Sequence, residues 1–239
     1  MLDGEIIHDG ASIKIFSASE PDKVIVRFTD DITAYYKIKK AVIKDKGIYC
    51  CGISSMLLKY LSDNGIPTHF ERMTSEREQL CRRIGIIPLE MIVRNVIAGS
   101  LAQRLGLQEG TVPPEVIYDL CYKSAPLYNP LINDYHALAL GLATREELSE
   151  IYSLTERING LLVPLFDSVG ITLVDYKIEF GKTASGHILL ADDITPDTAR
   201  MWDKATGERL DKDRFRRDGG NVGLAYKTVY DKLRKVCAL

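Results

Sequence analysis

The segment from Ile171 to Asp193 reads as a hairpin, with ITLVDYKIEF on one arm, the six-residue turn region GKTASG at the tip and HILLADD on the other arm. Strand alternation places Thr172, Val174, Tyr176, Ile178 and Phe180 on one face and Leu173, Asp175, Lys177 and Glu179 on the other. A hairpin this apolar belongs inside a sheet, so its charged face is expected to be an inner one. If the turn folds so that Phe180 pairs with His187, Asp175 stands opposite Asp192 and Asp192 joins that face. Like charges directly opposite destabilise a sheet, and a cation between them removes the penalty. Oxygen ligands without His or Cys suit Mg2+, which keeps several waters and binds phosphate as well. The competing reading is a solvated outer strand face with an ordinary salt bridge, because a six-residue turn leaves the register open.

At 239 residues the chain can bury a sizeable core, as one compact unit or two closely packed subdomains. Charged residues make up 27% of it and the net charge is -2, so it has no global field for capturing nucleic acid, and any anion site must be local. Cys50, Cys51, Cys81, Cys121 and Cys237 are odd in number and lack CxxC spacing, which argues for reduced thiols in a cytoplasm. His8, His69, His136 and His187 are scattered, and each reads as a packing or surface residue rather than a zinc ligand. The N-terminus lacks a basic-then-apolar order, and no apolar run approaches the roughly 18 residues of a membrane span. A cytosolic protein is expected.

Ser12 to Phe16 and Val24 to Phe28 are β-branched runs around a turn and read as a meander. Ile53, Met56, Leu57, Tyr60 and Leu61 form a helical stripe that Asn64-Gly65 and Pro67 stop. From Ile84, the run IGIIPLEMIVRNV reads as a central strand ending in Arg94. Thr144 and Glu147 make a capping box for a long helix with Leu148, Ile151, Ile158, Leu161, Leu165 and Val169 as its stripe, ended by Gly170, and Pro164 should kink or interrupt it. A last helix carries Leu224, Val229, Leu233 and Val236. Strands and helices neither alternate cleanly nor segregate, which makes the class α+β with two subdomains, 1–85 small and β-rich, 86–239 larger.

VRNVIAGSLAQRLG runs from the buried strand through Ala98-Gly99 into a short helix for which Ser100 is a natural N-cap. Helix N-H groups beside the Arg94 guanidinium make a phosphate or carboxylate site, although such junctions are common as plain caps. Arg200 and Arg216 supply further cations after the acidic hairpin. A solvated face is the alternative for Arg216 and Arg217.

VRNVIAGS, LVDYKIEFG, LADDITPDTARMWD and DKDRFRRDGG, with GIPTHFER and LINDYHA between them, resemble the SAICAR synthetase family across nearly the whole chain. The resemblance implies a small β-rich subdomain against a larger α+β one, with an ATP-grasp-like cleft. It implies an ADP-forming ligase of purine biosynthesis that joins L-aspartate to the carboxylate of carboxyaminoimidazole ribotide, using ATP and Mg2+, as a homodimer. On this resemblance Lys177 and Asp175 are the catalytic candidates, and Glu179 and Asp192 sit near ATP and hold the metal. Lys14 and Arg82 are candidates for the ATP phosphates, and Arg94, Ser100, Arg200, Arg216 and Lys123 for the ribotide.

Four segments depart from the family pattern. Its G-K-x-K loop is Gly10, Ala11, Ser12, Ile13 here, followed by Lys14; its T-A-[GF]-[DN]-G loop is Thr33, Ala34, Tyr35, Tyr36, Lys37. The paired asparagines expected after Gly47 are Cys50 and Cys51, and the K-D-D-x-x-x-D-P motif is Lys123 to Pro130 without its acids. Clustered changes amid matching surroundings leave three readings: the family reaction, a paralogue using another ribotide or amine, or a catalytically poor nucleotide binder.

Overall fold

The computed structural model describes residues 4–35 and 38–237; Tyr36 and Lys37 of the altered loop lie outside the described residues. The chain opens with β1 (Ile6–Asp9), β2 (Ile13–Ser17) and β3 (Lys23–Phe28), the expected meander. A small hairpin, β4 (Asp31–Ala34) and β5 (Lys39–Val42), leads into α1 (Lys46–Asp63), then β6 (Phe70–Ser75) and β7 (Glu78–Arg82). The first sheet has the order β1-β2-β3-β7-β6, and α1 packs against it. Ile53, Met56, Leu57 and Leu61 are fully buried, as their spacing requires, each worth about 1.5–3 kcal/mol of apolar burial. Asn64 caps the end, and Gly65 turns the chain with φ +80.

The second sheet is built from β8 (Gly85–Arg94), β9 (Ile117–Tyr122), β10 (Leu131–Ile132), β11 (Ile171–Lys182), β12 (Ile188–Leu190) and β13 (Ala199–Asp203). Its order is β10-β9-β8-β11-β12, with β13 also on β11, so the strand ending in Arg94 is central as expected. Between and after these strands come α2 (Gly99–Leu105), α3 (Asp134–Ala139), α4 (Arg145–Ser168), α5 (Asp213–Arg216) and α6 (Val222–Leu233). The fold is α+β. One buried cluster runs through both sheets, and α1 packs directly on α6. At that contact Gly52 is required by space, since a Cβ there would lie 2.4 Å from the Tyr230 ring.

Two helices differ from expectation. The Thr144 and Glu147 box opens α4 with reciprocal bonds of 3.2 and 2.9 Å, but the helix runs unbroken through Pro164. Pro164 lies on the exposed face, and the carbonyl its ring crowds belongs to Gly160, whose surroundings are open, so the strain is relieved toward solvent. In α6 the buried side chains are Val222, Ala225, Tyr226, Val229 and Leu233; Leu224 is 62% exposed and Val236 lies beyond the helix, so neither belongs to the core stripe.

Candidate active site

β11 pairs with β8 along one edge, and along the other it pairs first with β13 and then with β12. The observed register sets Phe180 opposite Leu190, three residues beyond the expected His187. The tip explains the shift. Thr183 N donates to His187 O at 3.0 Å, and the Thr183, Ser185 and His187 side chains link to one another, so β11 extends through Lys182 and the turn is tighter than the sequence implied. Asp192 therefore does not stand opposite Asp175. The expected face alternation also fails at Val174, where a bulge lets both Asn95 N and Val96 N donate to Val174 O. Tyr176, Ile178 and Phe180 face the main core with Leu173, whereas Val174 joins a small cluster with Val96 and Ala98.

Asp192 reaches the site by another route. The chain leaves the ladder between β12 and β13, and the loop 191–198 lies along the stretch of β11 that has no strand partner on that edge, with Ala191 N on Glu179 O at 2.9 Å and Lys177 N on Thr198 O at 3.0 Å. This brings Asp192 Oδ2 within 2.8 Å of Lys177 Nζ. Glu90, opposite Glu179 on β8, lies 3.3 Å from the same ammonium, and Glu179 lies 3.6 Å from it. Lys123, just past β9, donates to Glu179 Oε2. Burial works against the charged Lys177, but Asp192, Glu90 and Glu179 outweigh it and hold its pKa well above the lysine value. Burial and the neighbouring Asp192 charge raise the Glu179 carboxyl above its ordinary value. Burial, then Asp192, push Asp193 up to about 7.

A second constellation crosses the same sheet face. Arg94 Nε donates to Asp119 at 2.6 Å and its Nη1 to Asp175 Oδ2 at 3.3 Å. Arg200 Nη1 donates to the same Asp175 oxygen at 2.8 Å and its Nε to Asp213 at 2.7 Å. Arg216 donates to Asp213 and Arg104 to Asp119. Gly99 is the close approach here: at φ +55, a Cβ would fall 2.4 Å from Arg200 Nη2. The N-cap of α2 is Ala98 and Ser100 is an exposed residue inside its first turn, because the left-handed Gly99 starts the helix one residue early.

The structure thus brings Lys177, Glu179, Asp192 and Lys123 into one cluster, and Asp175, Arg94, Arg200 and Arg216 into the other. Lys14 and Arg82 join neither: Lys14 pairs with Asp9 at 2.9 Å, and Arg82 is 55% exposed with Glu71 at 3.7 Å. Sequence reasoning missed Glu90 and Asp119, whose signal lies only in cross-strand register, and Asp213, which meets Arg200 only once α5 packs beside β13. It also missed Lys46, which is fully buried with Nζ 2.5 Å from Asp197, an acid that also accepts from Tyr226 at 3.0 Å. Cys50, in place of an expected asparagine, is buried beside that pair.

The carboxylate oxygens of Glu179 and Asp192 are already neutralised by Lys177 and Lys123, and as oxygen donors they are of the kind that suits a hard divalent ion. Among the described residues no group of three or more His, Cys, Asp or Glu side chains is disposed to hold a metal ion.

A family model for SAICAR synthetase matches residues 6–233. The phosphoribosylaminoimidazole-succinocarboxamide synthase of Fusobacterium nucleatum is 52% identical over 233 residues, covering 98% of this chain and 98% of the relative. The crystal structure of the synthase of that name from Ehrlichia chaffeensis superposes with a TM-score of 0.95 at 42% identity, covering 97% of this chain and 99% of that one. A SAICAR synthetase (Type-2) in complex with ADP superposes with a TM-score of 0.92 at 40% identity, again over 97% and 99% of the two chains. With both constellations on one sheet face and this end-to-end similarity, the chain belongs to the SAICAR synthetase family.

Proposed function

We propose that the chain catalyses the ATP-dependent joining of L-aspartate to the carboxylate of carboxyaminoimidazole ribotide, forming SAICAR, ADP and phosphate. The observation that carries this reading is that β11 presents Asp175, Lys177 and Glu179 in succession on one face, each tied to a different charged group: two arginines, a ring of acids and Lys123. The arginine end suits an anionic acceptor, and the acid end suits a metal nucleotide. One step along the strand, about 7 Å per residue pair, separates the two.

The ribotide carboxylate attacks the γ-phosphoryl group, breaking its bond to the β–γ bridging oxygen and releasing ADP, to give an acyl phosphate, and the aspartate amine then displaces phosphate, losing a proton, to form the amide. Glu179 and Asp192 would hold Mg2+, which when bound supplies charge neutralisation on the phosphates. Lys177 and Lys123 add fixed positive charge beside them, whereas Lys14 and Arg82, outside both clusters, would have to leave Asp9 and Glu71 to reach the outer nucleotide phosphates. Arg94, Arg200 and Arg216, with Ser100 nearby, orient the ribotide. Residues 1–85 and 86–239 act as two subdomains, a division supported by the first sheet ending at Arg82 and the second beginning at Gly85. The protein works in the cytoplasm as a homodimer. Its free cysteines are all buried, and among the described residues no helix is long and apolar enough to cross a membrane.

ADP release on mixing ATP, carboxyaminoimidazole ribotide and L-aspartate tests the reading, with SAICAR identified as product. ADP release only with a different amine or ribotide would replace it by the paralogue reading. One observation favours that second reading. Tyr35 Oη donates to Arg216 O at 2.9 Å, and Lys39 Nζ donates to Phe215 O and Asp218 at 2.6 Å each, so the altered β4–β5 hairpin is clasped to the arginine-bearing α5.

A further inference from the structure

The four arginines and three aspartates form an unbroken alternating row, Arg216, Asp213, Arg200, Asp175, Arg94, Asp119, Arg104, across five elements and the turn of α5. Both central guanidiniums are held the same way, with Nε on an outer aspartate and Nη1 on the shared Asp175. Among the described residues neither Nη2 makes a hydrogen bond, and that of Arg200 lies against Gly99 at the start of α2. A guanidinium fixed at two of its three nitrogens has no rotation left. The third nitrogen then points in a direction set by the acids and, for Arg200, by the close approach of Gly99.

We propose that Asp175, Asp119 and Asp213 are positioning residues: Asp175 sets the spacing of Arg94 and Arg200 as a shared central stop, the outer two fix their tilt, and the pair grips a ligand oxyanion through the two free Nη2 groups. Four positive charges against three negative leave the row one charge short of neutrality, which an anionic ligand supplies. Asp175 is 4% exposed and sits between the guanidiniums, so it holds them rather than meeting the reacting atoms. The assignment rests on the proposed function for the identity of the ligand, the phosphate or carboxylate of the ribotide, but the frame itself is a property of the sheet.

Asp119→Ala and Asp213→Ala, each with its Asn counterpart, test it by calorimetric titration with SAICAR, with ADP and with inorganic phosphate. Each Ala variant is expected to weaken SAICAR binding about tenfold or more, the scale of a misplaced orienting group, with ADP affinity within about twofold of wild type. The Asn variants, which keep a carbonyl oxygen for the guanidinium Nε, are expected to recover most of the loss. A KM for the ribotide that rises while kcat stays near wild type accompanies the binding result. Unchanged SAICAR affinity in the Ala variants, no rescue by Asn, or equal loss of ADP and SAICAR would each overturn the positioning role. Asp175→Asn adds a third arm where it folds, and the outer pair decides where it does not. Wild type that ignores SAICAR would refute the proposed function alone, since the phosphate titrations of the same variants still decide the arginine frame.

Discussion

Lys177 Nζ stands 2.8 Å from Asp192 Oδ2, although the two residues do not face each other on paired strands. The contact exists because the loop 191–198 folds back along the free edge of β11, and it puts a protein cation where three carboxylates converge. Glu179→Gln removes a carboxylate whose charge burial and Asp192 disfavour, so that variant should keep its melting temperature or gain slightly, whereas Asp192→Asn removes a charge that Lys177 stabilises and should lower it. Mg2+-dependent ATP binding should weaken roughly 10- to 100-fold, the cost of losing a metal-site partner. Calorimetry with ATP in the presence and absence of Mg2+ decides this, and equal affinities in wild type and both variants would move the metal elsewhere.

Lys46 is a buried cation with no role in either constellation, and its loss is expected to be felt in stability. Its ammonium lies against Asp197, which is itself 6% exposed by side chain, so Lys46→Met leaves a buried carboxylate with Tyr226 at 3.0 Å, Lys212 at 3.7 Å and the Cys50 thiol at 4.0 Å. Breaking one side of such a pair costs about 3–5 kcal/mol. Urea denaturation should show that loss, and adding Asp197→Asn should restore more than half of it. A single variant as stable as wild type would mean the Asp197 charge is already satisfied by its other partners.

Elements defined by local periodicity were legible: the β2–β3 meander, α1 with its Asn64-Gly65 stop, the central β8 and the capped start of α4. Features set by non-local bonding were not. The β11–β12 register depends on three side chains closing the Thr183 to His187 tip, and the Val174 bulge depends on two amides from the turn after β8. The candidate site divides along the same line. Arg94, Arg200, Lys177 and Glu179 stand out as charges within apolar strands, whereas Asp119, Glu90 and Asp213 acquire meaning only once β8, β9, β11 and α5 are side by side. Lys46 opens a helix in an ordinary polar run, and nothing in its surroundings marks it as buried.

His69 gives the protein a pH signature. Burial pushes its imidazole down to about 4, against a smaller upward pull from Asp192. An unfolded histidine titrates near 6.5, so between those values the unfolded chain binds more protons than the native one, and stability falls as pH drops. The loss should begin below about pH 6.5, be complete near pH 4 and amount to about 3 kcal/mol. In His69→Gln that part of the slope should vanish, with the backbone bonds of residue 69 to Leu190 and Arg82 retained. Denaturation midpoints at closely spaced pH values compare the two proteins, and parallel curves from pH 7 to 4.5 would show that His69 is not the titrating group.

The turn before β2 tests how this chain holds nucleotide phosphates without the loop lysines. Gly10 N donates to Ile13 O at 3.0 Å, which closes a tight turn around Ala11 and Ser12. Ile13 pairs with Phe28 and packs on the core, whereas Ala11 is outside it. The two missing lysines are therefore unequal positions. Ala11→Lys adds a charge at little structural cost and should tighten ATP binding several-fold at low salt, with the gain shrinking as ionic strength rises. Ile13→Lys gives up apolar contact and should lower stability by about 1–2 kcal/mol, so that the double variant gains phosphate affinity at the expense of its melting temperature. Calorimetry with ATP at two salt concentrations, beside thermal denaturation, separates the two effects. ATP affinity indifferent to Ala11→Lys would show that the Gly10 turn does not face the phosphates.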